Sequence, residues 1–494
     1  MNDFNFIYIF SPLLLAVFFM LRIFPLWKNR DRGCDAFYFL LCAETFHKER
    51  KVPITLPYLY MLEYQEQWYP PLFSVLTGML PQNWLKKRFW LLNHLLDAGV
   101  LLTLFVLTFF LAGLPAAFVA GLLYALNPAQ TFEFSTMTSR SLALLFFIFF
   151  IFFGEMAALS SLWYALPAIF LIALLIYTHK LTIQLLWFLC IFLSLMEWNL
   201  LWILLLAAGY CLAAAAYPSM FWKILKSHLD IVLFWHKNWK YLGVHQVEES
   251  PVYGTPEGPE NLNGFFKGKF ILRWFFLGRK VFTSNPWILP ILMAFTFWGT
   301  LNDLEFFLLN IVMSIYIWAF LTLAPPLRCL GEGTKYIKYA KPFSLLLTAI
   351  LLKGHPSFLL GVLAALCILT ELIYYIAVCH FLSKPTSDKL DPEILELIEI
   401  LKADENARTL CLPLHLADML AYYSRRPVLW GTHGYTFKDA QPFFPRILEP
   451  LDFFIKKYHL TYILLKKEYV MPEKLRLENP VIVFEGKNYL LLKA

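Results

Sequence analysis

A single carboxylate, Asp35, stands in the stretch Gly33-Cys34-Asp35-Ala36-Phe37-Tyr38-Phe39, just after the first long apolar segment of the chain. Ionisable groups so near a bilayer are costly unless they have a partner or a task. A carboxylate partly desolvated at a membrane surface can take the proton of a hydroxyl, which is the chemistry of a general base. Asp35 also precedes the amphipathic run 36–44, where it could equally cap a helix. Asp31 lies four residues earlier and Glu44 nine later, and either could assist the carboxylate or share a divalent ion with it. Cations suited to an anionic reactant fall in later loops. Ser135-Thr136-Met137-Thr138-Ser139-Arg140 offers hydroxyls and a guanidinium that fit phosphate oxygens, or an arginine snorkelling from a helix end. Tyr177-Thr178-His179-Lys180 puts a histidine and a lysine in one small turn, and Arg328-Cys329-Leu330-Gly331-Glu332-Gly333-Thr334-Lys335-Tyr336 joins two later apolar segments. Asp97 shares a helix face with Asn93 and His94, which makes it either a functional acid inside the membrane or part of a helix-packing network. His433 follows a strand-like run in Val428-Leu429-Trp430-Gly431-Thr432-His433-Gly434-Tyr435, as a ligand contact or a turn residue.

The elements that must position these groups are apolar. Hydrophobic residues make up 59% of the chain, charged residues only 16%, and the mean hydropathy is +0.58. Soluble domains are nearer half apolar and a quarter charged, so the sequence predicts a polytopic α-helical membrane protein. A span needs about 20 apolar residues, and about eleven candidates fall near 6–26, 89–112, 115–127, 141–153, 162–177, 181–197, 199–217, 284–300, 303–324, 342–353 and 356–382. The N-terminal segment has no basic leader and a long apolar stretch, which reads as a retained first helix. The eight cysteines show no CxxC and no metal-ligand spacing, and several lie in apolar segments as small packing residues. The basic residues lie beside the spans, so no nucleic-acid partner is expected. Membrane lipids are.

The long connections 27–88, 128–140, 218–283, 325–341 and everything after about 384 fall on one face, with only short turns on the other. The stretch 221–242 carries Trp222, Trp235, Trp239 and four lysines at helical spacing, and so predicts an amphipathic helix lying along the interface. A Pro/Gly/Glu-rich hinge, 246–264, and a basic aromatic stretch, 267–280, follow it. From 384 the composition changes: a helix opened by Asp391-Pro392-Glu393, strand-like runs at 408–413, 427–430, 461–465, 480–484 and 488–492, and helical patterns at 414–423 and 446–458 predict a small C-terminal α/β extramembrane domain. Two charge signals oppose each other over orientation. Lysine and arginine concentrate on the long-loop face, which the positive-inside rule would place in the cytoplasm. That rule weakens for long loops, and a face that binds phosphate would be basic on either side.

Gly33-Cys34-Asp35-Ala36-Phe37-Tyr38, then Ala43-Glu44, then Tyr69-Pro70-Pro71-Leu72 resembles the first extracytoplasmic loop of the GT-C superfamily of membrane glycosyltransferases. The architecture is similar as well, with a multi-helix body (1–383), loop motifs on one face and an extracytoplasmic C-terminal domain (384–494). The resemblance implies an inverting transfer of sugar from a polyprenyl phosphate or diphosphate donor to a hydroxyl of a glycan, lipid or protein acceptor, at the extracytoplasmic face of the cell (inner) membrane. It implies Asp35 as catalytic base, with Arg140, His179, Lys180, Arg328, Lys335 and Tyr336 around the donor phosphate. The segment 328–336 resembles the phosphate-contacting loop before the final helices of such enzymes. Asp31, Glu44, Tyr69, Asp97 and His433 are the further candidates for acceptor or donor contacts. No cofactor is certain, and a divalent metal is compatible with Asp35 plus Asp31 or Glu44. The chain lacks the Trp-Trp-Asp-Tyr-Gly signature of oligosaccharyltransferases and an Asp-Glu pair of the protein O-mannosyltransferase kind, which leaves sugar and acceptor undefined. The alternative is a non-enzymatic protein, a flippase for lipid-linked glycans or a membrane scaffold. Transport would call for charges spread through the bundle, and Asp97 is nearly alone there.

Overall fold

The computed structural model describes residues 3–30, 32–52, 56, 58–62, 69–254, 278–324, 327–384, 390–431, 437–477 and 480–494. Asp31, His433 and most of the expected 246–264 hinge and 267–280 stretch lie outside the described residues. Apolar runs become long helices, even across Pro12 in the first, because a bilayer leaves every backbone N–H and C=O to be satisfied within its own segment. Among the described residues, five helical stretches are long and apolar enough to cross a membrane: Ile9–Leu26, Gln82–Ala112, Arg140–Leu159, Asp303–Leu323 and Phe358–Ser383. A sixth is reached if Gly278–Ser284 and Ile288–Thr300, bent by 101°, count as one. Leu114–Leu126, Leu162–Ile176, Lys180–Met196 and Leu201–Ala216 are shorter apolar helices. The protein is an integral membrane protein.

The helices pack around one apolar core that includes Leu101, Leu144, Phe147, Leu186, Ile315 and Leu347. Two ion pairs sit inside it with no exposure, Arg22 with Asp97 and Lys341 with Glu371. The expected span 342–353 starts earlier than its apolar stretch: the helix runs from Ile337 to Gly354 through Pro342. Proline leaves the carbonyl four residues back without its helical partner, yet here it does not open the helix. The earlier start puts Lys338 in the first turn of this helix.

The C-terminal unit is a four-stranded sheet of order β1-β2-β4-β3, formed by β1 (Thr409–Leu412), β2 (Tyr462–Lys466), β3 (Val481–Glu485) and β4 (Tyr489–Lys493). β1 and β2 are parallel and the other pairs antiparallel. Alternate residues serve opposite faces. Cys411, Leu464 and Leu491 pack with the Pro392–Ala403 and Ala417–Ser424 helices, while Leu410, Leu412 and Ile463 face Phe443, Phe454 and the Pro218–Asn238 helix. The expected strand 427–430 is no strand. Val428 makes single bridges to Tyr60 and Thr409, so this segment splices the first loop to the sheet. The Pro218–Asn238 helix is amphipathic as expected, but its inner side meets this domain, Phe234 lying 4.8 Å from Phe437, while Trp222 and Leu229 stay exposed.

Candidate functional site

Asp35 is not a helix cap. The helix Cys34–Glu49 is preceded by Gly33, and Asp35 stands in its first turn, where the positive end of the helix favours a carboxylate. Gly33 has φ +100°, and a Cβ on it would lie 2.3 Å from Thr136 Cγ2. Glycine is therefore required twice there, for its conformation and for contact with the second loop. That loop is fixed by Asn93, whose Nδ2 donates to the Thr136 carbonyl at 2.5 Å and whose Oδ1 accepts from Thr138 N at 3.3 Å and Ser141 Oγ at 3.1 Å. The outcome is that Arg140, first residue of its helix, brings Nη2 to 3.4 Å from Asp35 Oδ2.

The other arm of the guanidinium reaches a residue the sequence did not single out. Arg140 Nη1 lies 3.0 Å from Glu133 Oε2, and Lys338 Nζ lies 3.1 Å from the same oxygen. Burial alone would raise the Glu133 carboxyl, but Lys338, Arg140 and Lys335 outweigh it and hold it well below the usual carboxylate range. Lys180 and Lys335 complete the cluster: Lys180 lies within electrostatic reach of Lys335, Arg140 and Asp35. The first loop enters through Tyr69, beside Arg140 and Asp35, whose hydroxyl burial pushes up to about 12. Leu72 N donates to the Tyr177 carbonyl at 2.8 Å, which ties that loop to the turn carrying His179. His179 Nδ1 bonds Thr182 Oγ1 at 3.0 Å, and Thr182 bonds Tyr339 in turn at 2.5 Å. Burial, with Lys338 and Arg140 nearby, pushes the imidazole well down and keeps it neutral.

Two cavities of about 520 Å³ each flank Lys335 and share Lys280 and Glu332 with it. One has an apolar side formed by Pro128, Phe132, Val378 and Phe381, and a polar side that includes Glu133, Thr283 and Ser284. The other holds Lys180, Gln184, Trp235 and Arg328. Tyr336 stands behind them: its hydroxyl lies 2.8 Å from Gln184 Oε1 and within hydrogen-bond reach of the Leu330 carbonyl, which braces the 328–336 loop. Of the sequence candidates, Asp35, Arg140, Lys180, Lys335 and Tyr69 therefore come together, Arg328 lines the adjoining cavity, and His179 and Tyr336 support the group. Two candidates lie elsewhere. Glu44 joins Lys86 at 3.0 Å and Arg425 at 2.5 Å, and accepts from Tyr422 Oη at 3.2 Å, which fastens the first-loop helix to the C-terminal domain. Asp97, fully buried, pairs with Arg22 at 3.2 Å and accepts from Tyr124 Oη at 2.5 Å. Glu133 and Lys338 are the residues sequence reasoning missed. The signal was an acid two residues before Ser135 and a lysine just before an apolar run.

Among the described residues, the donor set does not suit a divalent ion. Glu44 is held by its own cations, and Asp35 and Glu133 are both engaged by Arg140, Glu133 by Lys338 as well. Among the described residues no three His, Cys, Asp or Glu side chains are grouped to hold a metal. A hard ion wants about six oxygens, and here it would meet nitrogen cations instead.

No family profile matches the sequence, and no curated protein matches it. Solved structures do match in fold. The apo oligosaccharyltransferase of Archaeoglobus fulgidus superposes with a TM-score of 0.61 and 13% identity, over 94% of this chain and 70% of that one. The same enzyme with zinc and sulfate gives 0.59 and 12%, over 93% and 68%. In complex with an inhibitory peptide and a dolichol-phosphate, the archaeal oligosaccharyltransferase AglB gives 0.59 and 13%, over 100% and 74%.

Proposed function

We propose that this chain, a membrane protein with the GT-C fold, is a glycosyltransferase that moves a sugar from a polyprenyl phosphate or diphosphate donor to an acceptor hydroxyl at the extracytoplasmic membrane face. Asp35 takes the proton of the acceptor hydroxyl as its oxygen attacks the anomeric carbon. Attack comes from the face opposite the leaving group, so the anomeric configuration inverts. The bond from that carbon to the phosphate oxygen breaks, and its electron pair departs with the phosphate. Arg140, Lys180, Lys335 and Lys338 face the charge that develops there, in a site held by fixed side chains rather than by reorganising water. The apolar cavity beside Phe132, Val378 and Phe381 suits the first isoprene units of the donor tail, and Arg328 lies where a second phosphate or the sugar would reach.

One observation carries this reading. A carboxylate at the start of the first-loop helix touches a guanidinium 105 residues further along, and lysines from two more helices surround the pair. A flippase or scaffold has no need of a base placed against such a cluster. The test is sugar release from a panel of synthetic polyprenyl phosphate and diphosphate sugars by purified protein, wild type beside Asp35→Asn. Transfer from at least one donor, reduced a hundredfold or more in Asp35→Asn, is the expected result, since general-base catalysis contributes about 10²–10⁴-fold. Equal transfer by the two proteins removes Asp35 from the chemistry. Silence of folded wild-type protein on every donor removes the enzyme.

A further inference from the structure

We infer that Glu133 is a positioning residue: it gathers Arg140 and Lys338 into a paired side-chain cation that takes the role a divalent ion would otherwise have toward the departing phosphate. The inference rests on the transfer reading above.

Glu133 Oε2 accepts from Arg140 at 3.0 Å and from Lys338 at 3.1 Å, and these cations come from different helices. The Arg140 fork then reaches Asp35 with its other nitrogen. A planar guanidinium held at both ends cannot swing away, so the base and the cation that balances the leaving group are fixed relative to each other. Lys338 has almost no exposure, and a buried ammonium at that position needs a carboxylate partner to remain there. With Lys180 and Lys335 the cluster holds more cations than carboxylates, the charge balance a phosphate requires and one that repels Mg²⁺ or Mn²⁺. Glu133 itself stays ionised and neutralised by its two partners. It acts on the reaction through Arg140 and Lys338, and its own charge is masked from the phosphate. The electrons of the breaking bond leave with the phosphate, the proton stays on Asp35, and no further reactant is called for.

The experiment uses the full chain in nanodiscs. Manganese titration followed by electron paramagnetic resonance is expected to find no stoichiometric site in the wild type, and transfer is expected to survive EDTA. Glu133→Gln keeps the shape but removes the charge. It should lower kcat at least tenfold with the donor KM changed less than threefold, and Glu133→Asp should recover part of the loss. A general loss of structure would not respect that split or that rescue. Lys338→Met breaks the same link from the other side and should reproduce the fall in kcat if Glu133→Gln proves unstable. A stoichiometric Mn²⁺ site that Glu133→Gln abolishes, transfer that EDTA stops and Mn²⁺ restores, or an unchanged kcat in Glu133→Gln would each overturn the inference. Wild-type protein silent on every donor is instead the failure of the transfer reading, and the manganese titration then reports on the carboxylates separately.

Discussion

A built Cβ on Gly33 collides with Thr136 at 2.3 Å, and the φ of +100° adds strain for any L side chain. Gly33→Ala should thus push the second loop away from Asp35 without disturbing the spans. Misplacement of this kind by about 1 Å costs on the order of a hundredfold, so kcat should fall tenfold to a hundredfold while the helical circular dichroism is unchanged. His179 carries a pH prediction. Its folded pKa lies well below the ordinary value of about 6.5, so below that pH the folded state binds fewer protons than the unfolded one. Stability must then fall as the pH drops through 6.5, by up to about 1.4 kcal/mol per pH unit for this group. His179→Gln should flatten the fall, measured as the difference between the two melting curves from pH 7 to pH 5. These residues were legible in unequal measure. Asp35, Arg140, Lys180 and Lys335 stood out because each is ionisable beside an apolar run. Glu133 did not, because nothing in the sequence says that the acid in Thr131-Phe132-Glu133 will face a lysine 205 positions away.

At the scale of elements, the first-loop helix is held from both ends, by Asp35 in the site and by Glu44 against the C-terminal domain. Beside the Glu44 contacts, Tyr60 Oη donates to Asp418 at 2.7 Å, and Val428 N donates to the Leu59 carbonyl at 3.0 Å. Glu44→Ala leaves Arg425 and Lys86 without this carboxylate and should loosen the splice rather than the chemistry. Hydrogen exchange at Met61, Leu62 and Val428, whose amides make the splice, should rise at least tenfold while the amides of the Arg140–Leu159 helix stay protected. Unchanged exchange at those amides would return Glu44 to the list of substrate contacts. The segment 427–430 shows why such a splice is hard to read. Its Pro-Val-Leu-Trp run has strand composition, yet what it pairs with is fixed by tertiary contact, and β propensity reflects the surface a residue packs on more than the backbone itself. The helix from Ile337 to Gly354 shows the complementary failure. Hydropathy started it at Pro342, because Lys338 and Lys341 are costly in an apolar window, whereas in the fold each lysine has a carboxylate, Glu133 or Glu371.

For the molecule as a whole, the distribution of charge sets the orientation question. The positive-inside rule counts lysines and arginines that remain in loops as the chain inserts, and it says cytoplasm for the long-loop face. Many of those residues have other work in the fold. Arg140, Lys180, Lys335 and Lys338 cluster around Asp35 and Glu133, Lys86 is paired with Glu44, and Arg32 and Arg328 are buried. Arg30 lies over the rings of Trp27 and Trp90. A basic face that an anionic donor would require carries little topological information, and the rule is weakest for long connections such as 27–88 and 218–283. The long-loop face and the C-terminal domain should therefore lie outside the cytoplasm. Fusions placed after Ala494 decide it: alkaline phosphatase, active only outside, should be active, and green fluorescent protein, which matures only inside when exported unfolded, should be dark. The opposite pair of readings would put Asp35 on the cytoplasmic side, where a donor would have to present its sugar from the inner leaflet, and the extracytoplasmic assignment of the transfer would fall while the geometry around Asp35 stood.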